Sequence, residues 1–293
     1  MNSFVRPHRS VLYMPGANAR ALDKARSLPA DGLILDLEDA VAPDAKDLAR
    51  DQVVAAVVQG GYGPREVIVR INALSTPWGR DDVAAVATCK ADAILAPKVE
   101  SAADVKALVA ALDEAGASAD VPVWVMVETP RAFLRIDEIA GAHPRLAALV
   151  LGTSDLVKDL HARHTRERME TATARALAVL AARAHGLTAL DGVHLDLDDD
   201  EGFAHACTQG RDMGYDGKTL IHPKQIAAAN AAFGPSPDEV AKATEIVTAW
   251  DEARVRKQGV VVVNGRLVEQ LHVVEAQRQL AIAEAIARNT ASS

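Results

Sequence analysis

Eight short apolar runs recur along the first 223 residues, and they limit the possible folds more than any other feature of the chain. Several are continuously apolar rather than alternating, which is typical of parallel strands covered on both faces. We predict strands at Val11–Pro15, Gly32–Leu37, Glu66–Asn72, Ala93–Val99, Val121–Glu128, Ala147–Gly152, Thr188–Val193 and Gly217–Ile221. Eight strands separated by helical stretches predict a closed (β/α)₈ barrel, with a doubly wound open sheet as the alternative.

Amphipathic segments fill the gaps between these runs. We predict helices at Ala40–Val58, Ser101–Ala115, Arg131–Ala140 and Glu167–Ala184, with Ser101 as an N-cap. No G-x-G-x-x-G sequence follows an early strand, which weakens a dinucleotide-binding form of the open sheet.

The strand rhythm stops after His222-Pro223. We therefore predict a barrel domain over residues 1–223 and a C-terminal helical extension over 224–293. Within the extension the pattern predicts a helix at Pro237–Lys257, a small hairpin at Gly259–Gly265 and a final helix from Glu269 to Arg288. We expect this arm to cover the barrel mouth or to lie at a subunit interface.

Charge and composition exclude several classes of function. The net charge is 32 − 40 = −8 and aromatic residues are only 3%, so the chain lacks both the basic footprint and the stacking platforms of nucleic-acid-binding proteins. Two cysteines, Cys89 and Cys207, exclude a disulfide framework. With no apolar run long enough to cross a bilayer, we expect a soluble, cytoplasmic protein that has no membrane partner.

Charged residues gather where the predicted strands end. In a barrel these ends form the C-terminal face, where active sites are built. A charge at the end of an apolar strand is costly to desolvate unless it is paired or metal-bound. The residues in question are Asp36, Glu38 and Asp39, Arg70, Lys98 and Glu100, Glu128, Asp155, and Asp191.

Glu128 and Asp155 follow consecutive predicted strands, so their carboxylates can converge on one point. Mg²⁺ prefers one or two carboxylates together with water and substrate oxygens, and this pair fits that need. Structural ion pairs for both carboxylates are the alternative. Arg70 could grip a substrate carboxylate or stabilise a developing oxyanion, or it could form an ion pair with Glu38, Asp39 or Glu128.

Sequence motifs occur in a specific order over about residues 9–286. They are RSVLYMPG, DGLILDLEDAV followed by K and AR, VRINALSTPWG, APKVE, VETP, LGTSDL, GYDGKTLIHPKQI and FGPSPDEV. In combination they resemble the citrate lyase β-subunit-like (CitE-like) family of the HpcH/HpaI aldolase superfamily.

The resemblance implies a TIM barrel that acts as a Mg²⁺-dependent carbon–carbon lyase. Such an enzyme cleaves or forms a 3-hydroxyacyl-CoA thioester, for example citramalyl-CoA, malyl-CoA or citryl-CoA, with acetyl-CoA and an α-keto acid as the other partners. The resemblance also implies that Glu128 and Asp155 bind the metal and that Arg70 and Glu128 bind the substrate. Glu38 and Asp39 would lie beside the water shell of the metal, with a catalytic role.

The resemblance also implies a homotrimer or hexamer in which a C-terminal segment reaches the active site of a neighbour. The family pattern there is GKMVDxP-like, with a catalytic Asp, whereas this chain has GRLVEQL, so that Glu269 stands for the Asp and Leu271 for the Pro. Two alternatives remain: a citrate lyase β subunit acting on an acyl-carrier-protein thioester, and a barrel that binds acyl-CoA without turnover.

Overall fold

The computed structural model describes residues 6–255 and 259–291. Parallel strands close a barrel in chain order, and β8 pairs with β1 through Lys218 and Ser10. The closed barrel confirms the predicted (β/α)₈ fold, and the open-sheet alternative is wrong. The strands are β1 (Ser10–Pro15), β2 (Gly32–Asp36), β3 (Glu66–Arg70), β4 (Ala93–Ala96), β5 (Val123–Val127), β6 (Leu146–Leu151), β7 (Thr188–Asp191) and β8 (Gly217–Leu220).

The barrel interior is filled by aliphatic side chains from successive strands together with one tryptophan. Ile34, Ile68, Leu95, Trp124 and Val150 belong to one buried cluster and are at most 2% exposed. Because this packing fills the barrel centre, polar chemistry is confined to the ends of the strands.

Helices alternate with the strands. They are α1 (Ala19–Lys24), α2 (Lys46–Gln59), α3 (Gly79–Val86), α4 (Ala102–Glu114), α5 (Pro130–Leu134), α6 (Ile136–Ala140), α7 (Thr153–Asp159), α8 (Ala172–His185), α9 (Asp200–Met213) and α10 (Ile226–Phe233). The Oγ atom of Ser101 accepts a hydrogen bond from the backbone N–H of Asp104, which confirms the predicted N-cap of α4.

Three predicted helices begin or divide differently in the structure. The first starts at Lys46 rather than Ala40, because a 3₁₀ turn led by Pro43 comes before it. The helix predicted from Arg131 to Ala140 is two short helices that meet at Arg135. The helix predicted from Glu167 begins at Ala172, after a 3₁₀ turn.

The chain divides into two units, and the first of them runs from His8 to Ala232. Its boundary falls after Ala232 rather than after residue 223, because α10 is tied to the barrel by hydrogen bonds. The Oγ atom of Ser10 donates to Asn230 Oδ1 at 2.7 Å, and Asn230 Nδ2 donates to the carbonyl of Pro29 at 2.8 Å.

The second unit, from Phe233 onward, contains α11 (Pro237–Val255), β9 (Val261–Val263), β10 (Arg266–Val268) and α12 (Gln270–Ala291). Trp250, Val268 and Val273 form a small core between the two helices and the hairpin. The hairpin extends three residues past its predicted end at Gly265, and the predicted helix end at Lys257 lies outside the described residues.

Two expectations from composition can be compared with the structure. Cys89 and Cys207 are both buried and unbridged. Within the described ranges, no helix has the length and apolarity needed to cross a bilayer.

Candidate active site

Two carboxylates lie at the mouth of the barrel, each shortly after the end of one of two neighbouring strands. Glu128 directly follows β5, and β5 pairs in parallel with β6 up to Val127 and Leu151. Asp155 lies in the first turn of α7, four residues after β6 ends. The side chain of Asp155 is 27% exposed and Glu128 is 2% exposed, so this pair has one buried and one accessible member.

The Glu128 side chain is held in a tight space. Its Oε1 atom accepts a hydrogen bond from the backbone N–H of Lys98 at 2.7 Å. A Cβ atom at Gly152 would lie 2.3 Å from Glu128 Oε2 and 2.4 Å from its Cβ atom, so only glycine leaves room for this carboxylate. Burial, and then the negative charges of Glu38 and Asp155, raise the pKa of Glu128 to about 7.

Arg70 ends β3 opposite Asp36, the last residue of β2. Its Nε and Nη2 atoms each donate to one oxygen of Asp36 at 2.6 Å, and its guanidinium lies over the Tyr13 ring with 4.7 Å to the centroid. Asp36 therefore occupies the Nε and Nη2 donors of Arg70. The remaining Nη1 atom lies 2.8 Å from Glu38 Oε2. The predicted alternative, an ion pair between Arg70 and Glu38, is therefore present, but the main partner of Arg70 is Asp36.

Glu38 joins the two sides of the site. Its Oε1 atom accepts a hydrogen bond from Lys98 Nζ at 2.6 Å. Its buried Oε2 atom accepts none from the residues that the structure describes, although Arg70 Nη1 lies 2.8 Å away. Burial raises the pKa of Glu38 although Arg70 opposes that shift. Asp39 is more open, with its side chain 61% exposed, 3.7 Å from Arg70 and 3.9 Å from Lys98.

A buried network fixes the loop that carries Glu38. Lys46 Nζ donates to the carbonyls of Leu37 and Glu38 at 2.8 and 2.7 Å, and to Asn72 Oδ1 at 2.8 Å. Asn72 in turn donates to Asp82 Oδ2 at 2.6 Å. Because these groups are buried and satisfied, the loop has one defined position.

Lys98 is a site residue that the prediction from strand ends did not assign. Its backbone has φ +54°, a left-handed conformation that costs free energy for a residue with a Cβ atom. Its ammonium contacts Glu38 and lies 3.8 Å from Asp155, while its backbone N–H binds Glu128. The signal was present in the sequence, since a lysine follows an apolar strand in APKVE.

Asp191 makes a separate set of ion pairs, and Glu269 belongs to the second unit. Asp191 is fully buried, and its ion pairs with Lys218 at 2.9 Å and Arg168 at 2.8 Å hold its pKa at about 2 despite the burial. Asp191 is therefore a structural residue whose charge is balanced by Lys218 and Arg168. Glu269 is an exposed residue of the second unit, whose backbone N–H donates to His272 Nδ1 at 3.0 Å.

The donors at the barrel mouth fit a hard divalent cation. Their ligand atoms are carboxylate oxygens, and Glu38 Oε2 accepts no hydrogen bond from the described residues, although Arg70 Nη1 lies 2.8 Å from it. Burial is the main cause of the raised pKa of Glu128, so a nearby cation would favour its charged form. In the part of the chain that is described, no three Asp, Glu, His or Cys side chains are grouped closely enough to enclose a metal by themselves. Two carboxylates with open positions for water or substrate match magnesium better than a closed structural site.

Glu128 should make the metal-free protein less stable as the pH rises. Its pKa is about 7 in the folded state, against 4.5 ordinarily, so between these values the folded protein binds more protons than the unfolded chain. The stability present below pH 4.5 is therefore lost as the pH rises through 7, on the order of 3 kcal/mol at about 1.4 kcal/mol per pKa unit. Denaturant unfolding in EDTA, compared between wild type and Glu128→Gln, should show this loss in the wild type only. Parallel pH profiles would contradict the assignment.

Comparison with known proteins places this site in a family. The sequence model of the HpcH/HpaI aldolase/citrate lyase family matches residues 9–223. A (3S)-malyl-CoA thioesterase of Cereibacter sphaeroides is 51% identical over 98% of both chains, and an L-malyl-CoA/beta-methylmalyl-CoA lyase of the same species is 37% identical over 93% of both. The crystal structure of CitE from Mycobacterium tuberculosis, in complex with magnesium, acetoacetate and coenzyme A, has 30% identity and a TM-score of 0.76. The superposition covers 96% of this chain and 100% of the CitE chain.

Proposed function

The chain belongs to the HpcH/HpaI aldolase/citrate lyase family, and on that premise we propose that it hydrolyses a malyl-CoA-type thioester with Mg²⁺. The products would be a hydroxy dicarboxylic acid, malate in the case of malyl-CoA, and free coenzyme A. The observation that carries the proposal is the group of Glu38, Glu128 and Asp155 around Lys98 at the mouth of the barrel.

Glu128 and Asp155 would hold the magnesium, as the family resemblance also implies. When bound, the metal would supply Lewis-acid polarisation of the substrate oxygens. Glu38 and Asp39 lie where they could hold water through their carboxylate oxygens. The positive charge of Arg70, fixed by Asp36, would stabilise negative charge that develops on the thioester oxygen.

The hydrolytic step needs little from the protein beyond positioning and proton transfer. Water attacks the thioester carbonyl and its proton passes to a carboxylate such as Asp39. The C–S bond then breaks, and the leaving thiolate takes up that proton to become the free thiol. One water is consumed, and one acid and one thiol are formed. An open groove of about 530 Å³, lined in part by Thr129, Arg131 and Arg135, would give room for the coenzyme A part of the substrate.

Glu269 favours hydrolysis over carbon–carbon cleavage. Cleavage produces an enolate that must be protonated at carbon, and the resemblance implies that a neighbouring subunit's Asp serves this acid–base step. Here Glu269 replaces that Asp and the following Pro is lost, which changes both reach and turn geometry. Hydrolysis forms no enolate, so it tolerates that change.

Carbon–carbon lyase activity is the second candidate, because the chain is 37% identical to a malyl-CoA/methylmalyl-CoA lyase over nearly its whole length. Under it, Glu269 of a neighbouring subunit in a trimer or hexamer would keep its acid–base role. The same metal-holding residues serve both reactions.

Product analysis separates the two reactions. We expect purified protein with malyl-CoA and Mg²⁺ to release free thiol and malate in equal amounts, with no glyoxylate. A thiol reagent measures the first product, and phenylhydrazine traps the α-keto acid that cleavage would yield. Glyoxylate with acetyl-CoA and no thiol would establish the lyase instead. No product from any CoA thioester in a panel of malyl, methylmalyl, citramalyl and citryl groups would contradict both.

A further inference from the structure

The ammonium group of Lys98 is placed where a cation is needed. Its Nζ atom lies 2.6 Å from Glu38 Oε1, 3.8 Å from Asp155 Oδ2 and 3.9 Å from Asp39 Oδ1. It is thus close to one proposed metal ligand and to both carboxylates beside the proposed water shell.

The backbone of the same residue binds the other proposed ligand. The Lys98 N–H donates to Glu128 Oε1 at 2.7 Å, and this occurs with φ at +54°. A left-handed conformation at a residue with a Cβ atom persists only where the surroundings hold it. The strained turn therefore directs the backbone to Glu128 and the side chain to Glu38, from opposite ends of one residue.

We propose that Lys98 is an internal counter-ion that neutralises the carboxylate cluster in the metal-free enzyme and competes with Mg²⁺ for it. The inference rests on the proposed metal-dependent function. Without a cation, the negative charges of Glu38, Asp39 and Asp155 around Lys98 would repel each other, and Lys98 together with Arg70 offsets that repulsion. When a divalent ion arrives, the ammonium must withdraw, and its side chain, 44% exposed, has open space in which to do so.

A competitor of this kind lowers metal affinity while it keeps the empty site folded. Such an arrangement would let magnesium bind and leave with substrate without collapse of the site. Because two positive centres repel strongly at short range, removal of the ammonium should favour the metal.

The test is metal binding, measured by titration calorimetry with Mg²⁺ on the full chain, without substrate. Lys98→Met keeps the Cβ atom, and hence the same backbone preference, but lacks the charge. We expect its Mg²⁺ affinity to rise about tenfold, equivalent to ~1.4 kcal/mol. Lys98→Arg retains a cation and should stay within about twofold of wild type.

Lys158→Met is the matched control. Lys158 Nζ also lies near Asp155, at 3.6 Å, but its side chain is 75% exposed and its other ion pair is with Asp159. Solvent screens such a pair, so its removal should change the affinity by less than about twofold.

Thermal unfolding provides a second measurement. Lys98→Met should unfold at a lower temperature than wild type in EDTA, since Glu38 loses its hydrogen-bonded partner. The rise in unfolding temperature on adding Mg²⁺ should be larger in the variant, because tighter binding stabilises more. Unchanged or weaker Mg²⁺ affinity in Lys98→Met would overturn the inference. Failure of the wild type to bind any divalent ion would instead overturn the proposed metal-dependent function.

Discussion

Glu128→Gln is expected to remove metal-dependent activity, by about 10³-fold or more, since a neutral amide is a poor ligand for a hard dication. Gln has the same shape and can still accept the hydrogen bond from the Lys98 N–H, so the fold should survive. The Mg²⁺-induced rise in unfolding temperature should disappear with the activity.

The same substitution should increase the stability of the metal-free protein. Burial disfavours the ionised Glu128 side chain, so at pH 8 in EDTA the variant should be more stable than wild type. A residue that weakens the empty protein and is required for turnover is a functional residue rather than a packing one. Glu138→Gln, at an exposed position of α6, is the control and should alter neither property. Retained Mg²⁺-dependent turnover in folded Glu128→Gln would refute the ligand assignment.

Gly152→Ala is expected to disturb the site although it replaces no charged residue. The new Cβ atom would lie 2.3 Å from Glu128 Oε2 and 2.4 Å from Glu128 Cβ, so one of the two backbones must shift. Overpacking of this kind costs about 1–3 kcal/mol in unfolding free energy. Displacement of the carboxylate should also weaken Mg²⁺ binding by about 10–100-fold, as changes to the support of a metal ligand do.

The control for Gly152 is Gly259→Ala. Among the described residues, no atom lies within 4 Å of a Cβ atom placed there, and the backbone is not in the left-handed region. Calorimetry and denaturant unfolding on both variants separate a local clash from a general effect of alanine. If Gly152→Ala binds Mg²⁺ as wild type does, the carboxylate is free to move and the tight space is not functional.

The sequence predicts the acids of the candidate site more fully than their surroundings. It predicts Glu128 and Asp155 at consecutive strand ends, and the structure places Asp155 in the first turn of α7. The local pattern gives Asp36 no role, because its two hydrogen bonds from Arg70 join residues 34 positions apart. The motif that contains Lys98 does not predict its contact with Glu38, since these residues lie 60 positions apart.

Local patterns by themselves determined the barrel, because the length, apolarity and spacing of each strand depend only on neighbouring residues. They also predict which face carries the chemistry, since every parallel strand ends at the same rim. Tertiary structure alone decided which charges meet there, which are neutralised, and where Gly152 leaves room for a carboxylate. Those outcomes depend on distances of a few ångströms between side chains that the barrel closure brings together, and electrostatic and steric energies change steeply over such distances.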